Sequence, residues 1–407
     1  MLTTWPAHST MTEPWTPSER RGSRADRTLT AIEVSIPPSI GDLNFDPVGE
    51  VARAHEAALI AVATLEAGYG QHLAPLGDFL LRTESVASSK IEHIDAGWSA
   101  FGKAMVGARA SSEAQSQLAA VRALTELVES AGREPITRSA ILGAHRVLMS
   151  PSDYIGDAAG QLRSVQNWIG GSDYTPINAL FVPPPAGSVD DLMADLLTFA
   201  NRDDLPILAQ AAIAHAQFLS IHPFTDGNGR IGRALLAAIL RRRGLTARIT
   251  VPLASVMLAD TQRYFDKLTD YRDGAADEFV GYVAQATIHA CAAAEESAGS
   301  LSALPGRWRE IACPRADSAE SALIERLLDT PIFDAADAVA MTGRSEVATY
   351  NALNRLTEAG ILDLLSANKR NRVWAATDVL AELDALTAAI GRRVTLASGR
   401  RGGRGKA

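Results

Sequence analysis

The stretch that decides the fold reads LPILAQAAIAHAQFLS over residues 205–220 and HPFTDGNGRIGR over residues 222–233. The first part is apolar around much of its circumference, which is typical of a helix that is buried on all sides. The second part is polar and rich in glycine, and a further helix follows it from about Arg230 to Arg243. We therefore predict a mainly α fold in which this loop, between two apolar helices, carries the chemistry.

The loop combines the groups that would bind a nucleoside triphosphate. Its glycines allow backbone N–H groups to approach an anion at the N-terminus of the second helix, where the helix dipole favours negative charge. Arg230 and Arg233 are three residues apart, so both guanidinium groups project from one helix face and suit phosphate oxygens. Asp226 is an oxygen ligand of the kind that Mg²⁺ takes, and His222 can accept a proton near neutral pH.

Two other phosphate-binding motifs are excluded. Residues 227–232, GNGRIG, match G-x-G-x-x-G, but that dinucleotide-binding motif follows a strand and precedes an acidic residue by about 20 positions. Here a predicted helix precedes the glycines, and residues 241–257 contain no acidic residue. A Walker P-loop is excluded because the chain contains no G-K-[ST] sequence.

The loop resembles the signature of the Fic family, HPFx[D/E]GNGRxxR, and every specified position matches. Further stretches that resemble Fic proteins are GQLR at 160–163 and WIGG at 168–171 before a flap, FVPPP at 181–185 after it, and TESVASSKIE at 83–92, which is similar to the inhibitory helix of one Fic class. With a winged helix-turn-helix pattern at the C-terminal end, the resemblance covers about residues 36–380. It implies a helical Fic core with a β-hairpin flap, a helical N-terminal region and a C-terminal winged helix-turn-helix.

Fic proteins with this full motif typically transfer AMP from ATP to a protein hydroxyl, so the resemblance implies a protein adenylyltransferase that modifies Tyr, Thr or Ser, including its own. It implies that His222 deprotonates the hydroxyl and that Asp226 holds Mg²⁺, with Mn²⁺ as the alternative, between the α- and β-phosphates. Arg230 would contact phosphate oxygens. The implied anion hole consists of the Asn228 side chain and the backbone N–H groups of Thr225, Asp226, Gly227, Asn228 and Gly229. Removal of AMP, or transfer of another nucleotide or phosphate group, is the alternative reaction.

The family's inhibitory pattern is [S/T]xxxE[G/N], and residues 88–93 read SSKIEH. Ser88 and Glu92 match this pattern, whereas His93 replaces the usual Gly or Asn. The resemblance implies an ion pair between Glu92 and Arg233, which would occupy the guanidinium group that the γ-phosphate requires. We therefore expect an autoinhibited enzyme, in which His93 loosens the end of the inhibitory helix.

Contacts to the nucleotide base and to the protein target are expected by position. Tyr264 and Phe265 lie where the family places aromatic contacts to the base, although an aromatic pair at helical spacing is equally well explained as core. The flap, residues 164–182, would align a segment of the protein target by main-chain pairing. The alternative is a surface hairpin without a selective role.

Composition and helix signals predict six segments along the chain. They are a disordered arm at 1–36, a helical N-terminal region with the inhibitory helix at 37–132, the Fic core at 133–297, a linker at 298–318, a winged helix at 319–390 and a basic tail at 391–407.

The predicted winged helix has two interpretations. In the first, helix Ser345–Ala359 enters a DNA major groove, and Lys369, Arg370 and Arg372 contact phosphates. Because that helix and the residue before it carry as many acidic as basic side chains, docking of a protein partner is the second. A hypothesis of a different class for the whole protein is a DNA-binding regulator whose Fic core is only a sensor. A homodimer is also left open.

Composition limits the remaining possibilities. The 39 basic and 47 acidic residues leave a net charge of −8, so the protein as a whole is not a basic nucleic-acid coat. Its two cysteines exclude a disulfide scaffold and a cysteine-based zinc module. No apolar run reaches the length of a membrane span, and the N-terminus lacks the apolar region of a secretory signal. We therefore expect a cytoplasmic location and no membrane partner.

Overall fold

The computed structural model describes residues 5–17, 21–69, 74–152, 155–366 and 372–402. Within these ranges the predicted mainly α fold is confirmed, and none of the described helices is long and apolar enough to cross a membrane. The helices are α1 (Arg24–Thr28), α2 (Gly49–Tyr69), α3 (Ala74–Ile91), α4 (Trp98–Met105), α5 (Ser112–Ala131), α6 (Arg138–Met149), α7 (Val189–Ala200), α8 (Ile207–Ile221), α9 (Asn228–Arg242), α10 (Leu253–Ala259), α11 (Thr261–Arg272), α12 (Ala276–Ala312), α13 (Ala319–Arg326), α14 (Ala335–Thr342), α15 (Glu346–Glu358) and α16 (Thr377–Gly402).

Two small antiparallel sheets accompany these helices. The first pairs β1 (Ser9–Pro14) with β2 (Ala31–Ile36). The second consists of β3 (Ile332–Asp334), β4 (Leu362–Leu364) and β5 (Val373–Ala376), with β5 in the middle.

The chain forms two compact units, each built from separate stretches of sequence. Unit 1 consists of residues 1–59, 122–245 and 261–285, and unit 2 consists of residues 60–121, 246–260 and 286–407. These divisions differ from the predicted segments, because neighbouring stretches of the chain belong to different units.

The core of unit 1 is organised around α8. Every side chain of this helix from Leu208 to Ile221 is buried, as its apolar circumference predicts. The polar side chain of Gln210 is accommodated because its Nε2 donates to the carbonyl oxygens of Phe199 and Arg202, each at 2.8 Å. α8 packs against α7 and α9, so the loop between α8 and α9 is held at both ends by buried helices.

The prediction of a disordered arm is wrong for the described residues before 37. Strands β1 and β2 pair over their full length, and Val34 on β2 is fully buried. Trp5 packs edge-on against Phe199 with ring centroids 6.3 Å apart. The sequence lacks an apolar period here because β1 is largely exposed. This segment is therefore held in place by strand pairing and by the packing of the Trp5 ring.

In unit 2, α15 coincides within one residue at each end with the helix predicted at Ser345–Ala359, whereas β3 was not predicted. The two antiparallel strands β4 and β5 come after α15, and α16 follows them. Of the basic residues predicted to contact DNA, Arg372 is described, whereas Lys369 and Arg370 lie outside the described residues.

Two other segment predictions need correction. Residues 298–312 are not a linker, because α12 continues to Ala312 with Pro305 inside it. Leu301, Leu304 and Trp308 are buried at helical spacing, and this apolar face outweighs the helix-breaking signal of the proline. The basic tail is also helical through Gly402, where α16 ends, and residues 403–407 lie outside the described residues.

Candidate active site

The loop between α8 and α9 begins with a residue in an unusual conformation. His222 follows the last residue of α8 and has φ 51° and ψ 60°, in the left-handed region. Such a backbone is costly for a residue with a side chain, so the surroundings must hold it. The His222 N–H donates to the Phe218 carbonyl oxygen at 2.9 Å, and the His222 carbonyl oxygen accepts from Arg163 Nε at 2.9 Å. The chain therefore departs from the axis of α8 at His222, and the imidazole is directed towards the loop.

Arg163 joins both ends of the flap to this loop. Its side chain is buried, and its remaining nitrogens donate to the carbonyl oxygens of Val165 at 3.1 Å and of Pro184 at 2.5 Å. Burial lowers the pKa of Arg163 to about 10, so the group stays charged at neutral pH. In the sequence, Arg163 stands only within the family stretch GQLR, and no pattern there indicates this role.

Asn228 shapes the loop from within. Its Oδ1 accepts from the Phe224 N–H at 2.8 Å, and its Nδ2 donates to the Phe224 carbonyl oxygen at 2.7 Å. Because both ends of the carboxamide bind the same residue, its orientation is determined. The Asn228 side chain, which was predicted to line the anion hole, therefore binds the backbone of the loop.

A second histidine, His145, packs against the loop and was not predicted as a site residue. The ring of His145 on α6 stacks on Phe224 with centroids 3.7 Å apart. Its Nδ1 accepts from the Gly160 N–H at 2.9 Å, so its Nε2 carries the proton and donates to the Asp226 carbonyl oxygen at 3.1 Å. Burial lowers the pKa of His145 to about 4. No sequence signal distinguishes this histidine from an ordinary core residue.

The N-terminus of α9 supplies groups suited to an anion. The helix begins at Asn228 after Gly227, whose φ of 78° a side chain would rarely adopt. The first backbone N–H groups of a helix have no carbonyl partner within that helix. Arg230 and Arg233 lie in the first two turns and are buried at 6% and 3% exposure. Buried guanidinium groups beside a helix N-terminus create a positive local potential.

Asp226 is the carboxylate of the loop. Its Oδ1 accepts from the Gly227 N–H at 2.6 Å and lies 4.0 Å from Arg230 Nη2. Its side chain is 41% exposed, so a carboxylate oxygen can still be reached from solvent. Across the described ranges no group of three or more potential His, Cys, Asp or Glu ligands forms a metal site.

The imidazole of His222 is neutral at physiological pH. Burial, together with the charges of Arg163 and Arg272, lowers the pKa of His222 to about 3. Its Nδ1 lies 2.9 Å from Asn167 Nδ2 and 3.2 Å from Asn228 Nδ2. A neutral imidazole can act as a proton acceptor on its ring nitrogen that carries no proton.

The two side chains predicted to contact the nucleotide base, Tyr264 and Phe265, have different environments. Tyr264 is fully buried, and its hydroxyl lies 2.8 Å from Nε2 of the buried His215. This burial favours the alternative explanation, in which the Tyr264 ring belongs to the core. Phe265 is half exposed and remains a candidate.

The flap pairs across only one β-bridge, between Ile169 and Phe181. The N-terminal segment braces it: the Thr175 hydroxyl donates to Asp26 Oδ1 at 2.6 Å, and Trp15 packs edge-on against Trp168. Leu180 is 84% exposed, so the flap presents an apolar side chain to solvent.

The predicted inhibitory residues belong to the end of α3 in unit 2. Ser88 is buried, and Glu92 follows the last residue of the helix with its N–H bound to the Ser89 carbonyl oxygen at 3.1 Å. His93 has φ 60°. This left-handed position after a helix favours Gly or Asn, which gives a physical reason for the last position of the family pattern.

Parts of this chain are similar to known proteins. Residues 135–240 match the Fic/DOC family. The chain is similar to a protein adenylyltransferase, fic-1, of Caenorhabditis briggsae, with 29% identity over 209 residues, 51% of this chain and 38% of that protein. It is also similar to a probable protein adenylyltransferase of Aquifex aeolicus, with 34% identity over 105 residues, 26% of this chain and 30% of that protein.

The chain therefore spans well under half the length of these curated relatives. Among solved structures, a Fic family protein from Desulfovibrio desulfuricans G20 has a similar fold, with a TM-score of 0.53 and 22% identity. The alignment covers 82% of this chain and 97% of that structure.

Proposed function

Because residues 135–240 of this chain form a Fic domain of the Fic/DOC family, we propose that the protein is a protein adenylyltransferase. It transfers AMP from ATP to a Tyr, Thr or Ser hydroxyl of a protein, including its own chain. The observation that carries this proposal is the neutral imidazole of His222 beside the N-terminus of α9. Such a pair supplies a proton acceptor and an anion site within one loop.

In the proposed reaction the target hydroxyl oxygen attacks the α-phosphorus of ATP. The bond from the α-phosphorus to the bridging oxygen breaks, pyrophosphate leaves, and the hydroxyl proton passes to His222. The backbone N–H groups from Thr225 to Gly229 and the guanidinium group of Arg230 stabilise the negative charge on the phosphates. Arg233 binds the γ-phosphate.

We also propose that Asp226 holds Mg²⁺, or Mn²⁺, that arrives with ATP. The residues fit this role, because a partly exposed carboxylate suffices when phosphates and waters supply the other ligands. The bound cation would neutralise phosphate charge during the transfer.

The resemblance around Ser88 and Glu92 supports autoinhibition, in which the Glu92 carboxylate competes with the γ-phosphate for Arg233. The left-handed backbone of His93 is costly for a histidine, so we propose that the inhibitory helix ends less firmly here than with Gly or Asn.

Two surfaces are proposed to receive partners. A segment of the protein target pairs with the main chain of the flap, residues 164–182.

Residues 319–390 act as a winged helix, and the exposed side chains of Val347 and Tyr350 on α15 favour a protein partner over DNA. A full-length protein that shifts a DNA duplex, with affinity falling steeply as salt rises, would instead favour DNA.

The decisive experiment compares AMP incorporation from ATP labelled on the α-phosphate in the parent, Glu92→Gly, and Glu92→Gly/His222→Ala proteins. ATP labelled on the γ-phosphate serves as the control for phosphate transfer. We expect α-label incorporation in Glu92→Gly and a loss of about 10²–10⁴-fold in the double variant. Label from the γ-phosphate alone, or release of AMP from premodified protein without incorporation, would support the alternative reactions.

A further inference from the structure

A carboxamide of the flap lies against the imidazole of His222. Asn167 Nδ2 is 2.9 Å from His222 Nδ1 and also 2.9 Å from the Phe224 carbonyl oxygen. Asn228 Nδ2 approaches the same Nδ1 at 3.2 Å. Since carboxamide nitrogens only donate, Nδ1 is the acceptor in this arrangement.

This arrangement has a consequence for the proton on the ring. A neutral imidazole carries one N–H, so when Nδ1 accepts, the proton is on Nε2. A protonated Nε2 cannot take a proton from a hydroxyl. A base that acts through Nε2 requires the other tautomer, in which Nδ1 carries the proton and donates it to an acceptor.

Asn167 can supply that acceptor, and Asn228 cannot. The Asn228 carboxamide is held at both ends by Phe224. In contrast, Asn167 Oδ1 is buried, and no described residue offers it a hydrogen-bond donor. A half-turn of the Asn167 carboxamide, with a shift of Oδ1 away from the Phe224 carbonyl oxygen that now accepts from Nδ2, would bring Oδ1 to Nδ1. The Phe224 carbonyl oxygen would still accept from Asn228 Nδ2 at 2.7 Å.

We propose that Asn167 is a positioning residue that selects the tautomer of His222. In one orientation its Nδ2 donates to Nδ1 and the imidazole cannot act as a base through Nε2. In the other, Oδ1 accepts from the Nδ1 proton and Nε2 presents its lone pair to the substrate. One proton leaves Nε2 for solvent and another joins Nδ1, so the charge of the ring does not change. The catalytic meaning of this switch rests on the proposed function, but the tautomer itself does not.

The first test measures the tautomer directly, by ¹⁵N NMR of the full chain labelled on its histidine rings. His222→Gln identifies the His222 signals. We expect Asn167→Asp to place the proton on Nδ1, because a carboxylate only accepts. We expect Asn167→Leu to leave it on Nε2, because only the Asn228 donor remains. Identical His222 tautomers in both variants would overturn the proposal.

A matched control separates this role from support of the flap. Gln166, the neighbouring residue, donates from Nε2 to the Pro183 carbonyl oxygen at 2.8 Å and bonds to no ring nitrogen of His222 among the described contacts. Gln166→Leu should therefore leave the His222 tautomer of the parent unchanged. A shift of the proton to Nδ1 in Gln166→Leu, as expected in Asn167→Asp, would mean that the flap as a whole, and not Asn167, sets the tautomer.

The second test is kinetic. In the Glu92→Gly background, Asn167→Leu should lower kcat for AMP incorporation by about 10²-fold or more, the effect of a lost general base, with the KM for ATP unchanged. Asn167→Asp should retain activity within about tenfold of the Glu92→Gly protein, because it keeps the acceptor. An unchanged kcat in Asn167→Leu would overturn the proposal. A Glu92→Gly protein that transfers no AMP would contradict the proposed function alone, since the NMR result decides the tautomer without it.

Discussion

Arg163 Nε donates to the carbonyl oxygen of His222 at 2.9 Å, across 59 positions of sequence. The acceptor belongs to a residue with a left-handed backbone, so this bond stabilises the conformation that turns the imidazole into the loop. The same guanidinium group binds carbonyl oxygens on both sides of the flap. One buried side chain thus connects the position of the proposed base to the position of the flap.

Replacing the guanidinium group of Arg163 should destabilise the protein. In Arg163→Lys a single nitrogen cannot reach the carbonyl oxygens of Val165, Pro184 and His222 together, so buried acceptors lose their donors. We expect the free energy of unfolding to fall by about 3 kcal/mol in urea titrations. The half-exposed Arg138, which pairs with Asp190, provides the control, and Arg138→Lys should change it by less than about 0.5 kcal/mol. Equal effects of the two variants would contradict the role of Arg163.

The rate of AMP incorporation should not fall as the pH is lowered from 8 to 5. A general base works when it is neutral, and burial lowers the pKa of His222 to about 3, well below the usual value of 6.5. Protonation should therefore not remove the base until the pH approaches that lower value. The measurement is the initial rate of AMP incorporation at saturating ATP from pH 5 to pH 8, with circular dichroism to confirm folding at each pH. A rate that halves near pH 6.5 in folded protein would contradict this assignment.

Removing the Asp226 carboxylate should abolish the dependence of the rate on divalent cation. We expect Asp226→Ala to lose AMP transfer at millimolar Mg²⁺, because alanine offers no oxygen ligand. Asp226→Asn retains one carbonyl oxygen without the charge and should respond only at higher Mg²⁺. Titration of Mg²⁺ and Mn²⁺ against the initial rate tests both variants. Full activity of Asp226→Ala would indicate that another residue holds the cation.

Glycine at position 93 should stabilise the end of α3. The left-handed backbone of His93, at φ 60°, costs about 1 kcal/mol for a residue with a side chain, whereas glycine adopts it freely. We expect His93→Gly to raise the free energy of unfolding by up to about 1 kcal/mol, offset in part by greater freedom of the unfolded chain. If the inhibitory helix acts as proposed, the same variant should lower the rate of AMP incorporation.

His93→Asn is the matched variant, since asparagine tolerates this conformation better than histidine. It should fall between the parent and His93→Gly in both measurements. A stabilised His93→Gly protein with an increased rate would contradict the link between the helix end and inhibition.

Much of the fold was predictable because its signals are local. The apolar circumference of α8 predicts a buried helix, and the glycine-rich loop with α9 follows directly after it. The errors occurred where local signals conflict with packing. The composition of residues 298–318 indicated a linker, yet the apolar face around Trp308 keeps α12 helical to Ala312. Few apolar residues precede Pro37, yet residues 9–14 and 31–36 pair as β1 and β2.

By itself, the sequence determined the contiguous stretch from His222 to Arg233, because its chemical groups lie within twelve consecutive residues, in the loop after α8 and the first turns of α9. Only the tertiary structure decided what surrounds it. His145, Asn167 and Arg163 come from stretches that precede the loop by tens of residues, and Tyr264, which follows it, proved to be core. Ring stacking, carboxamide orientation and burial depend on contacts between distant segments, and no local pattern of residues encodes them.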